Sequence, residues 1–219
     1  MRVAKIDHYK DDAKIKTLNI EKPISIPYLP VISNERQREK MVKTIEKYIR
    51  TSLEYTDMIA FLKEKIDMTH CTFFHNIGGA KKKGLIEIHH EPFDLYCLTS
   101  IVMRKHEHLR GHIDPLEVAD EVMYLHYTGL VGLIPLAKTP HELVHAGKLI
   151  VPLNCVYGDF LKFTETYLPY LDDEDIFKLD QKIELTKKFR REDLSILNVR
   201  YVYVNVDGFN LYEVRENEE

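Results

Sequence analysis

The stretch that most constrains this chain is GLIPLAKTPHELVHAGK, residues 132–148. Leu133 to Leu136 form an apolar run, bounded by Gly132, of the length of a buried strand. TPHELVHAGKL then reads as a helix, with Thr139 as N-cap, Pro140 at its first position and Gly147 as its C-terminal stop. The chain must therefore pass from strand to helix within a few residues, and it carries His141 and His145 on that helix. Side chains four apart leave a helix on the same face, so both imidazoles can reach one metal ion. The same spacing is open to two unrelated histidines on a surface or core helix. A second short strand, within KKKGLIEIHHEP (Lys81 to Pro92), ends in the pair His89-His90. Neighbouring strand residues point to opposite faces. One of the pair can ligate an ion while the other faces a water or a phosphate; alternatively the pair simply ends a strand at a polar surface.

Around these two segments the periodicity predicts an α+β chain. RVAKIDHY and IKTLNIEKPISIPYLP read as short strands broken by Pro23, Pro27 and Pro30. A helix is predicted from about Glu35 to Arg50 on the spacing of Val42, Ile45 and Ile49, and EYTDMIAFLKEKI continues as a second helix. CTFFHNIGGAKKKGLIEIHH suggests two strands around a glycine-containing loop. Phe93 to Tyr127 is helical in two pieces divided near Gly111, the second opened by Asp114 and Pro115. YGDFLKFTETYLPYL and DEDIFKLDQKIELTKKF are amphipathic helices, and YVYVNVDGFNLYEV alternates around Asp207-Gly208 like a hairpin. This gives an N-terminal part (1–70), a central part (71–150) and a C-terminal part (151–219), expected to share one compact domain.

Composition narrows the classes. With 44% hydrophobic and 30% charged residues the chain is ordinary for a globular protein, and no apolar run approaches the roughly 20 residues of a membrane span. The N-terminus lacks the apolar core of a signal peptide. Cys71, Cys97 and Cys155 are widely spaced and form no CxxC pair, which argues against a disulfide framework or a zinc knuckle and for an intracellular setting. A net charge of -4 argues against non-specific coating of nucleic acid. Lys81-Lys82-Lys83 and Lys187 to Arg191 remain candidates for local basic patches, or for solvated surface.

Taken together, IEIHHEP and GLIPLAKTPHELVHAGK resemble the HNH, or ββα-metal, nuclease family, and its colicin-type DNases in particular. The likeness lies in a strand that ends in His-His two residues after a Glu, followed by an apolar strand and a helix with His-x3-His, Gly and a basic residue. It implies a ββα-metal core interrupted by a helical insertion, residues 93–127. It also implies a metal site on His89, His141 and His145, with His90 as general base, Glu87 orienting the site and Lys83 near the phosphate. Nine residues before His141, where the family places a bracing Asn, stands Gly132, so Asn at that position would restore the brace. His90 and His141 are 51 residues apart, far more than a compact member needs, and Ala137 and Pro140 occupy places where many relatives carry zinc-binding cysteines.

The function this implies is metal-dependent hydrolysis of DNA or another nucleic-acid backbone. One divalent ion would stabilise the phosphate and the leaving oxygen while neutral His90 deprotonates water. Three imidazoles suit Zn²⁺ or Ni²⁺, while the resembled nucleases also use Mn²⁺ or Mg²⁺. Two other classes stay open: a nucleic-acid-binding or structural protein that keeps the shape without turnover, and a hydrolase of another phosphoester. Of the remaining histidines, His106, His108 and His112 are expected at an exposed loop tip, and His126 as a packed or hydrogen-bonded residue.

Overall fold

A computed structural model describes residues 32, 34–74, 76–79, 86–189, 191–201, 203, 206 and 209. The expected N-terminal strands, Lys81 to Lys83 and most of the C-terminal hairpin lie outside the described residues. What is described is α+β and mostly helical, with one two-stranded antiparallel sheet.

Helix α1 (Glu35–Thr51) begins where Asn34 accepts a hydrogen bond from the Gln37 amide, which caps one of the otherwise unpaired N-terminal donors. It buries Met41, Val42, Ile45 and Ile49 and packs on α3 (Leu95–Arg110) and α4 (Pro115–Tyr127), which also pack on each other. Helix α2 (Leu53–Lys65) lies against α1 and α4. Asp94 caps α3, and Gly111 ends it at φ 69°, a left-handed conformation that glycine adopts without steric cost. Asp114 caps α4 ahead of Pro115, as the sequence predicts. In the C-terminal part, α6 (Phe160–Tyr167) inserts Phe160 and Phe163 into the same core, α7 (Asp173–Thr186) adds Leu179 and Ile183, and a short α8 (Arg191–Ser195) follows.

The sheet pairs β1 (Ile86–His90) with β2 (Leu133–Ala137), and the register sets His89 opposite Ile134 and His90 opposite Leu133. The helices α3 and α4 are therefore inserted between two paired strands. All five β2 residues are buried, which explains why the segment is a continuous apolar run and does not alternate. Pro135 is tolerated in it for a local reason. Leu133 exchanges both backbone bonds with Tyr157, and the Pro135 carbonyl accepts from the Thr72 amide at 3.0 Å. The backbone groups of alternate residues 133 and 135 thus face away from β1, so the missing proline N–H removes nothing from the β1–β2 ladder.

Helix α5 (Lys138–His145) follows β2 directly and packs on both strands. It starts two residues earlier than a Thr139 N-cap would place it. Ala137 precedes it with no side-chain cap, and Pro140 sits within the first turn, where its missing N–H is not needed. The stop at Gly147 is as predicted. The Gly147 amide donates to Val144 O at 2.9 Å and the Lys148 amide to Leu143 O at 2.8 Å, the paired bonds of a glycine-terminated helix.

Candidate metal centre

Strand alternation decides where each histidine goes. Glu87 and His89 leave β1 towards α5, whereas His90 leaves it towards the helical core. His141 and His145, one turn apart on α5, meet His89 there. Ring centroids are 5.0 Å apart for His89–His141, 4.9 Å for His89–His145 and 4.5 Å for His141–His145, and each pair is nearly perpendicular. One nitrogen from each ring lies within 4.8 Å of the other two. His141 Nε2 and His145 Nε2 are 3.1 Å apart, close to the roughly 3.3 Å between two nitrogens that share a tetrahedral Zn²⁺ at about 2.0–2.1 Å.

Carboxylates hold two of these rings from behind. His141 Nδ1 donates to Glu87 Oε2 at 2.6 Å, which leaves Nε2 as the free nitrogen. His89 Nε2 lies 3.5 Å from Glu91 Oε2. Such partners fix the tautomer and orientation of a metal-binding imidazole. Burial would raise the Glu91 carboxyl, but the hydrogen bond to His89 and the Lys182 ammonium hold it below the usual range, so it stays charged. Burial, helped by His89, lowers His141, which keeps it neutral and able to donate a lone pair. A pocket of about 250 Å³ opens on the cluster, lined in part by Arg50, His90 and Asp94.

His90 is on the other side of the strand. His126 Nδ1 donates to Val122 O at 2.7 Å, so its Nε2 is a bare acceptor, and His90 Nε2 donates to it at 2.9 Å. Tyr55 stacks on His90 with 8° between the ring planes and meets His126 edge-on. Burial, then the neighbouring His126, push His90 well below the ordinary imidazole value, and burial brings His126 to about 4. Both rings are neutral partners in a buried wire, as expected for His126.

The structure brings together four of the residues singled out in the sequence, Glu87, His89, His141 and His145, and commits the His90 ring to His126 on the opposite face of β1, although His90 also lines the edge of the pocket. Lys83 lies outside the described residues. Glu91 was missed, although the spacing of Glu87, His89 and Glu91 puts all three on one strand face. Arg50, Asp94 and the role of His126 as partner to His90 had no local signal. The loop-tip expectation for the other histidines fails in part. His106 is buried within α3 and bonds Glu121 at 2.8 Å, His108 lies in the last turn of α3, and His112 is exposed. Asn at position 132 is excluded by space, because even a Cβ there would lie 1.8 Å from the Glu91 carbonyl oxygen.

A family model described as bacteriophage G278-like virion protein matches residues 2–207. No curated protein and no solved structure matches the chain. The family match overturns the resemblance to HNH endonucleases, and with it the nuclease function and the role of His90 as general base for phosphodiester cleavage. A shared local pattern of histidines at a strand end and on a helix does not carry a shared activity. The chain belongs to the bacteriophage G278-like virion protein family.

Proposed function

We propose that the protein is a structural component of a phage particle, and that β1, β2 and α5 form a ββα-metal unit held together by one divalent ion on His89, His141 and His145. The observation that carries this reading is the convergence of three imidazoles, one from a strand and two from a helix, in a chain of a virion-protein family.

Helix α5 itself supports this reading. The helix has eight residues, and Pro140 is its one buried residue. So short a helix is marginal without tertiary packing, and here the apolar part of that packing comes from Pro140 and the partly buried Val144. An ion bound to two α5 histidines and to His89 would pin the helix to the sheet, as structural zinc does in small folds. Imidazole donors favour Zn²⁺ or Ni²⁺ over Mg²⁺ or Mn²⁺. Glu87 and Glu91 would keep the two rings oriented, and the pocket leaves room for a water or another ligand at a fourth position.

The experiment is quantitative mass spectrometry and metal analysis of density-purified particles. The reading expects the chain in a fixed ratio to the other virion proteins, together with a matching amount of Zn²⁺ or Ni²⁺. A chain found in infected-cell lysate but not in particles would refute the structural role.

A further inference from the structure

Helix α1 carries Arg36, Lys40, Lys43, Lys47 and Arg50, at successive offsets of four, three, four and three residues. That spacing keeps all five on one narrow stripe. At 1.5 Å per residue the stripe is about 21 Å long. All five residues are exposed, while Met41, Val42, Ile45 and Ile49 occupy the buried face. Among the described residues, Arg36, Lys40 and Lys47 have no ion-pair partner. Lys43 is only loosely paired, 3.9 Å from Glu39, and Arg50 bonds Glu46 at 2.8 Å while remaining half exposed. Tyr48 stands beside the stripe, 47% exposed.

The chain as a whole is acidic, at -4. Its net field does not attract polyanions, so any such attraction must come from a local concentration of cations. The α1 stripe is such a concentration. It is regularly spaced, and it ends at Arg50, which also lines the histidine pocket. A linear array of this kind complements a regular line of phosphates. Over about 21 Å of duplex axis the two strands together carry about twelve phosphates, wound around the axis, and a stripe of this kind meets those on one face.

We propose that the exposed stripe of α1 is a docking surface for a nucleic-acid backbone, engaged through Arg36, Lys40, Lys43, Lys47 and Arg50. The choice of nucleic acid as partner rests on membership of the particle; the stripe itself does not depend on the ion.

The test is fluorescence anisotropy of the full chain with short labelled duplex and single-stranded DNA, in EDTA throughout so that the histidine site takes no part. Five phosphate contacts predict a duplex affinity that falls about 500-fold between about 50 and 200 mM salt, a log–log slope near -4.5. The triple substitution Lys40→Gln, Lys43→Gln, Lys47→Gln should reduce that slope by about 2.7 and leave the circular dichroism and melting curve unchanged, because Gln is nearly as good a helix former as Lys. Lys178→Gln, on the remote helix α7, should leave the slope as it is. Three results would overturn the proposal: no binding at the lowest salt, an unchanged slope in the triple variant, or poly-glutamate binding at least as tightly as DNA of equal charge, which would assign the stripe to an acidic protein. Loss of the virion reading would remove the particle's nucleic acid as the partner but would leave this binding curve intact.

Discussion

His89 and His90 are the same residue type, adjacent in one strand and almost equally buried, yet they meet opposite chemistry. His89 faces two further imidazoles and has a charged carboxylate behind it. His90 faces the helical insertion, where a neutral imidazole and a tyrosine ring satisfy it. The difference teaches that the role of a buried histidine is set by what its second nitrogen meets. A carboxylate on one nitrogen prepares the other for a cation, whereas a backbone-anchored imidazole spends the ring on packing and a hydrogen bond.

The connection between the two sides runs through Gly132, whose carbonyl accepts from the Glu91 amide at 3.0 Å. Gly132→Ala or Gly132→Asn should have the largest effect of any substitution considered, because the new Cβ would meet the Glu91 backbone, not a movable side chain. A loss of more than about 3 kcal/mol is expected, read from urea melts, as for other severe steric conflicts in a core. A variant as stable as the wild type would mean that the two faces are not tied together at this point.

The core face should titrate next. An unfolded His126 takes up a proton below about 6.5, whereas the folded one resists until about 4. Between those values the unfolded state binds more protons, so stability falls as pH drops through the window and levels off below it. His126 alone accounts for a loss on the order of 3 kcal/mol. Chemical denaturation in EDTA should therefore give a steep acid limb for the wild type and a shallower one for His126→Gln. Identical limbs would show that burial does not hold this imidazole neutral.

On the other face the carboxylates should matter unequally. Glu91→Gln removes a buried, charged partner of His89 and should weaken Zn²⁺ binding by about 10–100-fold. Glu87 is half exposed, so Glu87→Gln should cost less, under about 10-fold. Calorimetric titrations of the two variants decide the order. A larger effect at Glu87 would reverse the ranking drawn from burial.

Much of this was legible in the sequence, for identifiable reasons. The 3.6-residue period of Val42, Ile45 and Ile49 placed α1, the Asp114-Pro115 pair placed the start of α4, and Gly147 placed the end of α5. Strand period two correctly separated His89 from His90. What it could not supply was the partner on each side. His126 reaches His90 only because α4 folds back under β1, and Arg50 approaches from a helix some forty residues earlier in the chain. The start of α5 was misplaced because Thr139 and Pro140 make a plausible N-terminus two residues late, while the actual entry at Ala137 has no capping side chain. Family membership was not legible from the histidines at all. They report a local strand–helix junction, and the match that identifies the family extends over residues 2–207.

The central claim, that one face of β1 holds an ion and the other does not, is tested most directly by Zn²⁺ titration calorimetry on five proteins: wild type, His89→Ala, His141→Ala, His145→Ala and His90→Ala. The account predicts one tight site per chain in the wild type and in folded His90→Ala, and a loss of at least about 100-fold in each of the other three, since each removes one of three ligands. Unchanged affinity in His141→Ala and His145→Ala, or loss of the site in a His90→Ala protein that is still folded, would contradict it.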